Sequence, residues 1–267
     1  EVPREVRSGA PRRSRGLMNL SKTKLQLYSN LATAKMRRKR GLFIVEGCKS
    51  VADSWRAFDV EAILRTEGSD FSIEGCRAPI FTLCEEDMRR VSNLATRQEA
   101  IGVFRIPSDD GQESAIVSDD GLYLLLDGAQ DPGNLGTIIR TCHWFGITTI
   151  FASRDTVDIY NPKTVQATMG SLGKVRILYR DLEEIIASNP GVPVYGTLLE
   201  GESLYRVHPD RRGFIVMGNE GNGISENIRK LVDNPVTIPP YGHDHGESLN
   251  VAVATAITVA WFRKTDM

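Results

Sequence analysis

Beyond residue 120 the chain alternates short, almost wholly apolar runs with longer mixed segments, and this alternation narrows the available folds more than any other feature of the sequence. "LYLLLD" (122 to 127), "TTIFAS" (148 to 153), "KVRILY" (174 to 179), "VPVYGTLL" (192 to 199), "GFIVMGN" (213 to 219) and "PVTIP" (235 to 239) read as strands. Helical patterns lie between and after them: from Asn134, near Lys163, over 181 to 188, from Ser225 and from Ser248. Strands that are apolar on both faces and joined through helices belong to a parallel sheet covered on both sides. On this pattern alone, a doubly wound α/β domain is the default.

The preceding segment is a smaller alternating α/β unit, residues 17 to 106. It holds a helical region from Ser21 to Lys39, a strand at 41 to 47, a helix from Cys48 to Phe58, and strands near "EAILR", "PIFTL" and "IGVFRI". The acidic, turn-rich "PSDDGQESAIVSDD", residues 107 to 120, is expected to be a linker, leaving 121 to 267 as the second unit. Net charge is -1, yet residues 17 to 40 hold seven Lys or Arg and no acid, and residues 1 to 16 form a basic stretch expected to be disordered. That asymmetry predicts a polyanionic partner at the N-terminal side. No run approaches a membrane span and no secretory h-region is present, so a cytoplasmic location is expected. Cys48, Cys76, Cys84 and Cys142 form no CxxC pair, and His243 and His245 have no third ligand at matching spacing, so neither disulfides nor a metal are expected.

Three stretches place glycines and polar side chains where a strand ends. In "DGAQDPGNLGTIIR" (127 to 140), Gly128, Gly133 and Gly136 do not have the GxGxxG spacing, and no phosphate-loop lysine follows. A nicotinamide-dependent enzyme is therefore disfavoured. In "IVMGNEGNGIS" (215 to 225), glycines alternate with Asn219, Glu220 and Asn222, and Glu220 is expected to hold a guanidinium such as that of Arg140. In "VTIPPYGHDHGESLNVAVATAITVAW" (236 to 261), Ser248 and Asn250 head a helix so small and apolar that it must be buried or packed on another helix. Ser248 lies outside any GxSxG elbow and fits an N-cap.

"NLGTIIRT", "MGNEGNGIS" and "IPPYG...ESLNVAVATAI", in that order, resemble the signature motifs of the SpoU/TrmH family of RNA ribose 2′-O-methyltransferases, within the SPOUT superfamily. "SKTKLQLYSNLATAKMRRKRGLFIVEG" and "VSNLATRQEAIGVF" are similar, more loosely, to the small RNA-binding substrate domain of many members, a fold shared with certain ribosomal proteins. The resemblance implies an α/β domain with a parallel sheet and a deep trefoil knot, a rare departure from unknotted topology. It implies S-adenosylmethionine bound at the knot, contacted by Thr197, Leu198, Gly218, Asn219, Glu220, Gly223, Ile238, Pro239, Ser248 and Leu249, mostly through backbone groups. It assigns catalytic or orienting roles to Asn134, Arg140, Glu220, Ser248 and Asn250, and it implies a homodimer. The sequence departs from the family pattern at Pro240 and at Ala167, Thr168 and Met169.

A ribose hydroxyl attacks effectively as its proton is removed. A guanidinium stays protonated in proteins, so Arg140 fits a clamp on an RNA phosphate and the developing alkoxide, held by Asn134 and Glu220. The alternative of Arg140 as the base stays open, as does which subunit it serves. Methyl transfer from a sulfonium needs no Lewis acid. Lys22, Lys24, Lys35, Arg37, Arg38, Lys39 and Arg40 are expected, with Arg140, to supply phosphate affinity, and the accessory N-terminal unit favours ribosomal RNA over tRNA. Two other readings remain: an inactive knot-fold protein for RNA binding or ribosome assembly, and a SPOUT enzyme that methylates a base.

Overall fold

The computed structural model describes residues 19–96, 98–108, 117–118, 121–210, 212–242 and 246–264. The basic stretch 1 to 16, most of the linker, and His243 and His245 lie outside these residues. Helices α1 (Lys22–Ser29) and α2 (Ala34–Arg40) open the chain, followed by β1 (Leu42–Glu46), α3 (Cys48–Ser54), β2 (Val60–Thr66), β3 (Ile80–Leu83), α4 (Glu85–Val91) and β4 (Ala100–Arg105). The helix expected from Ser21 to Lys39 is two: Asn30–Ala32 tightens to a 3₁₀ turn and Thr33 turns extended, its hydroxyl accepting from the Met36 amide to cap α2. Gly41 ends α2 at φ 61°, a left-handed turn that glycine adopts without strain. The helix expected from Cys48 to Phe58 ends at Ser54.

These strands form a sheet in the order β1-β4-β2-β3, antiparallel except between β2 and β3. Side chains alternate between faces along a strand. Leu42 and Ile44 of β1 face α1 and α4 with Leu25, Tyr28, Leu64, Met88 and Ile101. Phe43 and Val45, on the other face, join Val51 and Phe104 in a cluster that continues into the second half of the chain.

That half contains β5 (Leu122–Leu126), α5 (Pro132–Trp144), β6 (Thr149–Ala152), α6 (Pro162–Ala167), β7 (Arg176–Tyr179), α7 (Leu182–Ala187), β8 (Val194–Ser203), β9 (Gly213–Met217), α8 (Glu226–Arg229), β10 (Asn234–Thr237) and α9 (Val251–Phe262). Its six strands are parallel, in the order β10-β8-β9-β5-β6-β7. Leu124 and Leu126 pack on one face with Ile215 and Met217, while Leu125 packs on the other with Phe214 and Val216. Both faces are covered, which is why these strands carry no polar alternation. The central strands β5 and β9 adjoin, so the turns after both open side by side at one edge of the sheet.

The two halves meet across β1, α3 and the segment after β6. Phe43 lies 4.6 Å from Tyr160 between ring centroids, and 5.1 Å edge-on from Phe58. A Cβ at Gly173 would come 2.5 Å from that of Ala57, so this position needs glycine for the contact. In the stretch expected to be a linker, Val117 is buried, its amide bonded to Asn189 Oδ1 at 3.0 Å. Among the described residues no helix is long and apolar enough to cross a membrane, and no three His, Cys, Asp or Glu side chains are grouped to hold a metal ion.

Candidate active site

The turn after β5 becomes a helix through Asp131, which was not singled out in the sequence. Its Oδ1 accepts from the Asn134 amide at 2.7 Å and Pro132 occupies the first turn, a start preorganised for helix. The helix thus begins two residues before the expected Asn134, and Asn134 projects from its first turn. Gly128 has φ 78°, reversing the chain above the strand end. Gly136 does not open the turn to a ligand: a Cβ there would meet the Thr164 carbonyl at 2.6 Å, so this glycine lets α5 pack against α6.

The turn after β9 folds back on itself. Asn219 and Gly223 exchange backbone hydrogen bonds at 2.9 and 3.0 Å, and a Cβ at Gly218 would collide with the Gly223 and Ile224 backbone. The Asn219 side chain is engaged within the fold: Oδ1 accepts from Gly221 and Asn222, and Nδ2 donates to the Gly128 carbonyl at 2.7 Å. Asp127, also missed in the sequence, accepts from the Ser225 amide at 2.6 Å and ties the two turns together. An aspartate ending an apolar strand before a glycine turn was the available signal for it.

Glu220 points back across the turns. It accepts from the backbone amides of Gln130 and Asp131 at 3.2 and 3.3 Å and from Asn134 Nδ2 at 3.0 Å. Asn134 Oδ1 then accepts from Asn250 Nδ2 at 2.9 Å, and Asn250 Oδ1 caps α9 by accepting from Ala252 and Val253. An ionised carboxylate can only accept, so it draws the donor end of Asn134 and leaves its acceptor end for Asn250. The three motifs are thereby joined in one directional relay. Burial works to raise the Glu220 pKa, but the bonds from Asn134 and the backbone outweigh it and hold the carboxyl below its ordinary value.

Arg140 stands apart from this relay. Its side chain is exposed and makes no hydrogen bond or ion pair among the described residues. The expected pairing with Glu220 is therefore not formed, because Glu220 is engaged by Asn134 and the Gln130 and Asp131 amides, and six helical positions turn Arg140 well away from Asn134. Ser248 is exposed, and the cap of α9 is Asn250 rather than Ser248.

The residues expected at a cofactor border the same sheet edge. Pairing of β8 with β10 jumps from Gly196 opposite Pro235 to Glu202 opposite Val236, so residues 197 to 201 bulge out of the ladder. Gly201 permits it: a Cβ there would lie 2.7 Å from the Pro235 carbonyl. Thr197 anchors the bulge through Oγ1, which donates to the Val216 carbonyl at 2.9 Å. Leu198, Ile238 and Pro239 are half-buried and Leu249 exposed. Aliphatic walls, a strand bulge and tight glycine turns suit a nucleoside ligand read through its edges.

On the N-terminal side Lys22, Lys24, Lys35, Arg38, Lys39 and Arg40 are exposed. Arg37 is not: it is 2% exposed, with Nε and Nη2 donating to Asp158 Oδ2 at 3.0 and 2.7 Å and Nη1 to the Leu31 and Ala32 carbonyls. Its expected RNA contact is corrected to a contact within the protein. Lys22 and Arg40 line a cavity of about 490 Å³ between α1 and α2, with Gln26, Asn30 and Met36.

The profile of the SpoU rRNA Methylase family matches residues 121–260. The chain is similar to the 23S rRNA (guanosine(2553)-2′-O)-methyltransferase RlmP of Bacillus subtilis, 31% identical over 245 residues, covering 90% of this chain and 96% of that one. Among solved structures it is similar to a TrmH-family protein from Porphyromonas gingivalis, with a TM-score of 0.82 and 34% identity over 92% of this chain and 99% of the other. It is also similar to an AdoMet-bound rRNA methyltransferase from Sinorhizobium meliloti, with a TM-score of 0.79 and 25% identity over 92% and 96% of the two chains.

Proposed function

Because the chain belongs to the SpoU rRNA Methylase family, we propose that it methylates a ribose 2′-hydroxyl of ribosomal RNA with S-adenosylmethionine. The observation that carries this reading is the Glu220, Asn134, Asn250 relay, which draws all three motifs to the edge of the sheet where β5 and β9 end. When bound, S-adenosylmethionine supplies an electrophilic sulfonium methyl group. Thr197, Leu198, Gly218, Asn219, Gly223, Ile238, Pro239 and Leu249 would hold it, mainly through backbone and aliphatic groups, with Glu220 and Ser248 at its border. The bulge at 197 to 201 and the apolar character of the walls support that assignment.

Arg140, exposed and unpaired among the described residues, is available to the substrate. We assign it the RNA phosphate and the negative charge that develops on the ribose oxygen, while the phosphate or a water takes the proton. Asn134 and Asn250 keep the turn rigid beneath the reacting ribose. The segment 17 to 106 would bind RNA through its exposed cations, and 121 to 267 would carry the chemistry in a knotted sheet. A second copy of the chain fits the outer side of α9, where Val253 is exposed and Ala256, Ile257 and Ala260 are half-exposed at helical spacing. Trp144, at the end of neighbouring α5, is a further large apolar side chain left 83% exposed.

The test is transfer of tritiated methyl from S-adenosylmethionine to unmodified 23S rRNA transcript, followed by alkaline hydrolysis. Label is expected in alkali-resistant dinucleotides, the mark of 2′-O-methylation; label on a base, or none, overturns the reading. Arg140→Ala should lower turnover by about a hundredfold or more while calorimetry finds cofactor affinity unchanged.

A further inference from the structure

We infer that Arg37 and Asp158 form a positioning pair that sets the distance between the basic helix α2 and the relay, and so determines which nucleotide of a bound RNA reaches the site. This inference rests on the proposed RNA methylation. Asp158 lies in the segment that leaves the carboxyl end of β6, at the same edge of the sheet as the motif turns. The segment is held firmly. The Val157 amide donates to the carbonyl of Ala129, within the turn that precedes Asn134, at 2.9 Å. Tyr179 Oη donates to the Val157 carbonyl at 2.6 Å and accepts from the Ile159 amide at 2.9 Å. Asp158 Oδ1 is fixed by the Tyr160 amide at 2.9 Å, which leaves Oδ2 for both Arg37 nitrogens.

A short path therefore runs from α2 to the relay: Arg37 to Asp158, Val157 to Ala129, and the adjoining Gln130 amide to Glu220. Arg37 is the one member of the cationic run on α2 that is buried; Lys35, Arg38, Lys39 and Arg40 on the same helix are exposed. Their track across the RNA backbone is thus registered against Asn134 through Arg37. A buried ion pair is weak evidence for stability, since apolar replacements of similar volume are often neutral. What it adds is a fixed direction and distance, because a guanidinium engaging one carboxylate oxygen and two carbonyls has little freedom to shift.

The test separates positioning from direct RNA contact by sign. Asp158→Asn removes a negative charge beside the cationic track, which by charge alone should leave or strengthen RNA binding. It keeps an oxygen to accept from the Tyr160 amide. Arg37→Met, Asp158→Asn and the double variant would be compared for affinity to unmodified 23S rRNA transcript by filter binding, for KM and kcat, for cofactor affinity and for melting temperature. The expected result is that each single variant weakens RNA affinity and raises KM about tenfold. Cofactor affinity should stay unchanged, kcat should fall no more than about threefold, and the double variant should be no worse than either single.

Unchanged or tighter RNA binding by Asp158→Asn would overturn the pair as a positioning device and restore Arg37 as an RNA ligand. Multiplying effects in the double variant, or a joint fall of cofactor affinity and melting temperature, would also overturn it. If the wild-type protein transfers no methyl group, the functional reading fails, while the RNA affinities still decide this inference.

Discussion

At the scale of single residues, Glu220 links stability to pH in a direction that can be worked out. Its pKa is depressed in the fold because the hydrogen bonds from Asn134 and the backbone outweigh burial. A depressed carboxylate contributes stability that is present above its unfolded pKa, about 4.3, and is lost as the pH falls through the folded value. Glu220→Gln should therefore lower the melting temperature at pH 7 and lose most of that difference at acid pH. Melts of both proteins from pH 7 down to about 3 check this, and a gap independent of pH would contradict it. Asn134, Glu220 and Asn250 were legible in the sequence as polar residues among glycines at strand ends. Their pairing was not, because which side chains meet depends on how two turns fold over one sheet edge. Arg37 was equally hidden: four cations in the run 37 to 40 look alike until the tertiary contact with Asp158 selects one of them.

At the scale of elements, Asn250 does two things that substitution can separate. Its Oδ1 caps α9 and its Nδ2 reaches Asn134. Aspartate caps as well as asparagine but has no donor, whereas alanine does neither. Asn250→Ala should cost about 1 kcal/mol in denaturant unfolding, while Asn250→Asp should stay within about 0.5 kcal/mol of wild type. Both should lose turnover; an active Asn250→Asp enzyme would remove the relay from the mechanism. The apolar strands and most helices were legible from period and end signals. The 3₁₀ turn at Asn30–Ala32 was not, since nothing in its composition breaks the helical pattern and Thr33 caps a helix that could have continued. The packing role of Gly136 was also hidden, because a glycine beside a ligand turn and a glycine that admits a neighbouring helix look the same in one sequence.

At the scale of the whole molecule, packing joins the strands before and after the acidic stretch 107 to 120 that the sequence suggests as a linker. Phe43, Val45, Val51 and Phe104 share one core with Leu124, Ile138 and Ile215. Truncating Phe43 to alanine should cost about 3–5 kcal/mol, and calorimetry should find one transition for both halves, in wild type and variant alike. Two separated transitions would refute the shared core. Composition could not reveal this, because an aromatic residue on the second face of an edge strand is equally suited to a free domain with its own helix there. The relay has a consequence in time as well as in space. Asn250 follows Asn134 by 116 residues, so a chain emerging from the ribosome carries the first asparagine long before the residue that completes the relay. During synthesis the earlier parts of a chain emerge first, and the site stays open until Asn250 is made. Competence waits for α9, whose cap Asn250 completes the relay.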